Sequence, residues 1–134
     1  MIVSSVPTQE LHKSKSHASI LIVEDEFLIR LMLGDNLREL GYYVTETSSA
    51  DDAAVQISAS PPQLIVTDIR MPGQLDGLGL LAHVRNAYPT LPVVVVSAYN
   101  DRFPVSDRYT HFLPKPYLFE KLAEIIERAL EPCS

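Results

Sequence analysis

The ten residues Leu64 to Gly73, LIVTDIRMPG, decide how the rest of the chain is read. Leu64, Ile65, Val66 and Thr67 form a short apolar run of the kind that makes a buried strand. The run stops at a lone acid, Asp68, and Pro72-Gly73 then forces a turn. A strand of an open α/β sheet delivers its last residue to the edge where ligands bind. Asp68 is therefore a placed residue, and its role depends on what else reaches that edge.

Working outward toward the N-terminus, Ile20 to Val23 (ILIV) is a second continuous apolar run, suited to a strand covered on both faces. It breaks into three acids, Glu24, Asp25 and Glu26. A helical pattern follows, with Ile29, Leu33, Leu37 and Leu40 on one stripe and Gly41 as its stop. Tyr42 to Thr47 is a strand candidate. Ser49 with Asp52 resembles a capping box opening a helix with Ala50, Ala54 and Ile57 on one face, and Pro61-Pro62 ends it. Beyond Asp68, a loop through Asp76 leads to a helix burying Leu80, Leu81 and Val84. Pro92 precedes a buried strand from Val93 to Val96, which ends at Ser97. Thr110 to Leu113 reads as a short fifth strand before Pro114-Lys115-Pro116. A last helix places Leu118, Leu122, Ile125 and Ala129 on one stripe, with Phe119 and Ile126 beside it. Five alternations of this kind predict an α/β fold, a doubly wound five-stranded parallel sheet with helices on both faces.

The totals agree with one domain. The 134 residues are 46% hydrophobic and 21% charged, enough for an ordinary core. A single cysteine, Cys133, cannot form an internal bridge and fits a reducing compartment. The net charge of -6 argues against a nucleic-acid-binding face. No apolar stretch has the length of a membrane span, and the first residues lack the pattern of a signal peptide. The expected organisation is a disordered tail over 1–18, a domain over 19–131 and a short tail over 132–134. The expected location is the cytoplasm, with no membrane contact.

Parallel strands point their ends to one edge, so the residues just past them can converge. Glu24 and Asp25 come from the first strand, Asp68 from the third, Ser97 from the fourth and Lys115 from the fifth. Three carboxylates repel one another unless cations compensate. A bound Mg²⁺ (or Mn²⁺) together with Lys115 would balance them, and hard oxygen donors without His or Cys suit such a cation better than zinc. A carboxylate beside Mg²⁺, with a hydroxyl and a lysine aimed at the same space, is equipped for phosphoryl transfer with the carboxylate as nucleophile.

The segments LIVEDE, TDIRMPG, DGLGLL, VVVVSAY and FLPKPY, in this order, resemble the receiver domain of bacterial two-component response regulators. The likeness covers about residues 19 to 131. It implies the flavodoxin-like receiver fold with strand order 2-1-3-4-5. It makes Asp68 the phosphoacceptor, Asp25 a direct metal ligand and Glu24 the holder of metal-bound water, with the backbone carbonyl of Arg70 completing the shell. It assigns Ser97 and Lys115 to the phosphoryl oxygens, a cis bond to Lys115-Pro116 and a rotamer switch to Phe112, coupled to Ser97. The implied partners are a sensor histidine kinase or histidine phosphotransfer protein as donor and a downstream target protein, with a homodimer as a further arrangement. The implied protein is a phosphoacceptor that catalyses its own phosphorylation and dephosphorylation, not an enzyme acting on other substrates. The chain ends four residues after Leu130, so the expectation is a receiver without its own output domain, either a complete regulator or an excised receiver.

Two departures stand out. The loop GQLDG adds one residue between Asp68 and Asp76-Gly77. More consequentially, only 17 residues separate Ser97 from Lys115. With Pro104 inside that span, the fourth helix of the family pattern is predicted to be shortened to two turns or fewer, irregular, or absent. That segment belongs to the family's usual partner face, so pairing through it is not expected to follow the standard form. The arrangement resembles a subgroup common in alphaproteobacterial regulators.

Other residues have ordinary readings beside functional ones. Glu26 fits the first turn of a helix. The Arg70 side chain could tune phosphate lifetime or be a surface arginine, and Tyr99 could shield a phosphoryl group or pack in its loop. His83 and His111 read as surface or packing residues. The competing activity is that of a haloacid dehalogenase-like Mg²⁺-dependent phosphatase working through an aspartyl phosphate. That mechanism wants a second acid two residues after the nucleophile, where this chain has Arg70.

Overall fold

The computed structural model describes residues 17–71, 73, 75–98 and 107–131. Its five strands are β1 (Ser19–Val23), β2 (Tyr43–Thr47), β3 (Leu64–Asp68), β4 (Val93–Ser97) and β5 (Thr110–Pro114). They form one parallel sheet in the order β2-β1-β3-β4-β5. Among the described residues the helices are α1 (Phe27–Glu39), α2 (Ala50–Ala59), α3 (Gly77–Ala87) and α4 (Phe119–Leu130). The predicted fold class and strand order are those observed. The predicted shortening of the helix between β4 and β5, and the readings of Tyr99 and Pro104, fall mainly on 99–106, outside the described residues. The predicted tail over 1–18 also lies almost wholly outside them.

The alternation of side chains along a strand explains the two layers. Leu21, Val23, Ile65, Val93 and Val95 face α2 and α3 and pack with Ala53, Ile57, Leu80 and Val84. Ile20, Ile22, Val66, Val94 and Val96 face the other way and pack with Leu33, Leu37, Leu122 and Ile126 of α1 and α4. Both faces are covered, which is why the strands read as unbroken apolar runs.

Helix boundaries follow local chemistry. The Ser49 hydroxyl accepts the amide of Asp52 at 3.1 Å, capping α2 as its sequence suggested. Asp76 caps α3 by accepting the amide of Gly79 at 2.8 Å. Gly41, at φ 100°, stops α1, and its amide donates to the Arg38 carbonyl.

The predicted apolar stripes need correction at their ends. On α1 only Leu33 and Leu37 of the four are buried, with Ile29 and Leu40 at the rim. On α2 it is Ala53, not Ala54, that is fully buried beside Ala50 and Ile57. Leu118 is 74% exposed and precedes α4, whose buried stripe is Leu122 and Ile126. In each case the stripe follows the one line of the helix that touches the sheet, and spacing alone does not say where that line ends.

Candidate functional site at the carboxyl edge

The ends of β1, β3 and β5 meet at one small cleft of about 280 Å³, lined by Glu24, Asp25, Glu26, Asp68, Arg70 and Lys115. Asp68 is the last residue of β3, and its side chain is 10% exposed. Lys115 Nζ donates to Asp68 Oδ2 at 2.6 Å, and the Arg70 amide donates to Asp68 Oδ1 at 3.1 Å. Both carboxylate oxygens are thus engaged, one by a cation and one by the backbone of the following loop.

Backbone contacts hold these residues in place. The Lys115 amide donates to the Ser97 carbonyl at 2.6 Å, so the lysine leaves β5 beside the end of β4. The Lys115-Pro116 peptide is cis, as the family resemblance implied. Below Asp68, the Ile69 amide reaches the Val96 carbonyl and the Gly77 amide reaches the Ile69 carbonyl. Gly77 permits that approach, because a Cβ there would run into the Asp68 carbonyl oxygen. The sequence signal for this was the Asp76-Gly77 pair, readable as a cap but not as a close contact under Asp68.

The electrostatics are those of an acid cluster with too few cations. Glu24 is buried. Burial first, then the nearby charge of Asp68 and the adjacent Asp25, push its carboxyl up to about 7, against the pull of the Glu26 amide and Lys115. That amide donates to Glu24 Oε2 at 2.9 Å. Burial alone would lower the Lys115 ammonium, but its bond and attraction to Asp68, helped by Glu24, raise it overall. Lys115 therefore stays charged.

Ser97 ends β4, fully buried, and among the described residues its Oγ has no hydrogen-bond partner. A buried hydroxyl left unpaired is costly and uncommon, which singles Ser97 out at this edge. Phe112 pairs with Val95 across β4 and β5, and is half-buried against the core on the α2 and α3 side. His83 is exposed and His111 half-buried on β5. Burial lowers the His111 imidazole, consistent with packing.

Hard oxygen donors predominate. Among the described residues, no three acidic, histidine or cysteine side chains are drawn together as a metal cage. Mg²⁺ does not need one, since it keeps several waters and takes only one or two carboxylates. Glu24, Asp25 and Asp68 line one cleft, and carboxylate oxygens are the donors such an ion takes. An apolar cavity of about 520 Å³ adjoins the cleft between Ile29, Leu33, Val66, Val96 and Tyr117.

Comparison with known proteins gives a consistent result. Residues 20–127 match the model of the response regulator receiver domain. The DNA-binding transcriptional regulator NtrC of Rhizobium meliloti is 38% identical over 117 residues, covering 84% of this chain and 24% of that protein. The chain thus spans about a quarter of the length of the curated relatives it matches. Among solved structures, the receiver domain of NtrX from Brucella abortus is 33% identical, with a TM-score of 0.75 over 85% of this chain and 99% of that one. The receiver domain of the hybrid histidine kinase CckA is also 33% identical, with a TM-score of 0.72 over 84% and 99%.

Proposed function

Because the chain belongs to the response regulator receiver domain family, we propose that it takes a phosphoryl group onto Asp68 from a histidine kinase or histidine phosphotransfer protein and thereby switches its binding to a target protein. The observation that carries this reading is the strand-end carboxylate of Asp68 held 2.6 Å from Lys115, in a cleft shared with Glu24 and Asp25.

An Asp68 oxygen attacks the phosphorus of a phosphohistidine. The phosphorus–nitrogen bond breaks, and the imidazole leaves with the electron pair and takes a proton from solvent. Asp25, Asp68 and the Arg70 carbonyl would hold Mg²⁺ or Mn²⁺, with Glu24 holding its water. When bound, the ion supplies positive charge against the phosphoryl oxygens. Lys115 exchanges the Asp68 carboxylate for a phosphoryl oxygen, and Ser97 donates its unpaired hydroxyl to another. As Ser97 moves toward the phosphate, Phe112 takes the space behind it and reshapes the surface over β4 and β5. The added charge biases two pre-existing states.

A protein donor also suits the surroundings. α1 begins two residues beyond Asp25 and carries exposed Phe27, Leu28 and Met32. Exposed apolar residues grouped beside a polar cleft are typical of a protein contact.

The test is incubation of wild type and Asp68→Asn with Mg²⁺ and acetyl phosphate. One base-labile phosphate per wild-type chain and none on the variant is the expected result. No phosphate on the wild type, or equal labelling of the variant, defeats the proposal. Repeated turnover of a small phosphate ester would instead favour the phosphatase mechanism.

A further inference from the structure

We infer that Arg30 is a positioning residue that sets the direction of the Glu24 and Asp25 side chains by holding the peptide unit between them. This inference rests on the proposed role of those acids in binding Mg²⁺.

Arg30 lies on the first turn of α1, and its side chain is only 15% exposed. Its Nη1 donates to the carbonyl oxygen of Glu24 at 2.7 Å. That oxygen belongs to the peptide joining Glu24 to Asp25. The plane of a peptide is rigid, so fixing one atom of it constrains ψ of Glu24 and φ of Asp25 together. On the other side of Glu24, its amide donates to the Thr47 carbonyl on β2 at 3.1 Å. The residue is therefore held at both its backbone N–H and its backbone C=O, one by the sheet and one by Arg30.

Arg30 is itself fixed. Its Nε lies 3.7 Å from Glu46 Oε1, and the guanidinium sits over the Phe27 ring at 5.5 Å. Glu46, on β2, is also 2.9 Å from Arg38 Nη1, and Arg38 Nη2 donates to the Val44 carbonyl at 3.1 Å. Gly34 makes room for this arrangement, since a Cβ there would stand 2.6 Å from Glu46 Oε2. A planar guanidinium can serve a carbonyl and a carboxylate at once, which an ammonium does less well. Groups that orient a metal's ligands without touching the metal commonly change its affinity about 10- to 100-fold when removed.

The experiment compares wild type with Arg30→Met, Arg30→Lys and Glu46→Gln. Mg²⁺ dissociation constants come from calorimetry, amide exchange from metal-free protein, and Tm from samples in EDTA. Arg30→Met is expected to bind Mg²⁺ about tenfold more weakly. It should also exchange the Glu26 amide faster, because that amide is bonded to Glu24 Oε2. Arg30→Lys should recover part of the loss, and Glu46→Gln should weaken binding about two- to threefold. A lower Tm with Mg²⁺ affinity and Glu26 exchange unchanged would make Arg30 a strut only and overturn the inference. If Arg30→Met does not fold, unchanged affinity in both Arg30→Lys and Glu46→Gln overturns it. If wild type binds no Mg²⁺, the metal reading falls, and Glu26 exchange alone decides whether Arg30 positions the loop.

Discussion

The two edges of the sheet carry similar residues and treat them in opposite ways. At the amino edge, Arg85 of α3 donates Nη2 to the Tyr109 carbonyl at 2.8 Å and Nε to Thr110 Oγ1 at 3.1 Å, and forms an ion pair with Asp107 at 3.3 Å. Asp107 also accepts the Tyr109 amide and the Thr110 hydroxyl. Burial pushes the Asp107 carboxyl up, but these donors and Arg85 outweigh it and hold it below its ordinary value. Ser19 and Gln63 complete the same edge by exchanging hydrogen bonds. At the carboxyl edge, Glu24 is pushed up to about 7 and Ser97 Oγ is unpartnered among the described residues. One edge pairs its acid with enough donors to hold it ionised, and the other pairs Asp68 but leaves Glu24 short of cations and Ser97 Oγ without a described partner. The first builds the frame, and the second, under the proposed function, has charge and a hydroxyl to offer a phosphoryl group.

The largest effect is expected where the frame is fully bonded. Arg85→Met strips partners from Asp107, Thr110 and the Tyr109 carbonyl together, and should cost about 2–3 kcal/mol of stability in urea titrations. Mg²⁺ affinity should stay within about twofold. A large loss of metal binding would mean the two edges are coupled and would break the comparison.

The next effect is of similar size but has the opposite character and depends on pH. Glu24 has an ordinary value of 4.5 and a folded value of about 7. Between these, the folded protein keeps a proton that the unfolded chain has lost. Metal-free stability should therefore fall as pH rises from about 4.5 through 7, and level off above. The fall should approach about 3 kcal/mol relative to Glu24→Gln, which removes the titration. Saturating Mg²⁺ should flatten the difference. A Glu24→Gln variant with the wild-type slope would remove Glu24 as its source.

The smallest effect is expected at Ser97. Ser97→Ala removes a buried hydroxyl with no described partner, so metal-free stability should change by no more than about 0.5 kcal/mol, or rise slightly. A loss above about 1 kcal/mol in chemical denaturation would show that the hydroxyl is already bonded in the metal-free protein.

Much of this was legible in the chain. LIVTDIRMPG, ILIV and VVVV announced buried parallel strands, because a strand covered on both faces has no polar alternation to keep. The strand-end residues Glu24, Asp25, Asp68, Ser97 and Lys115 could be placed at one edge, because parallel strands all end there. Ser49 and Gly41 marked helix ends through local bonding that depends on near neighbours only.

What escaped the sequence depends on distant partners. Arg30 and Arg85 look like surface arginines in a helical pattern, and nothing local shows that one reaches the Glu24 carbonyl and the other Tyr109 and Thr110. Gly77 reads as a residue after a cap, and its contact with the Asp68 carbonyl exists only once the loop folds back. The sequence by itself determined the elements, their alternation and which residues arrive at the carboxyl edge, since these follow from periodicity and strand polarity. Only the tertiary structure decided how each is aimed and which are left without partners. Direction and satisfaction are properties of atoms brought together from far apart in the chain, and Asp68, answered by Lys115 from 47 residues away, is the clearest case.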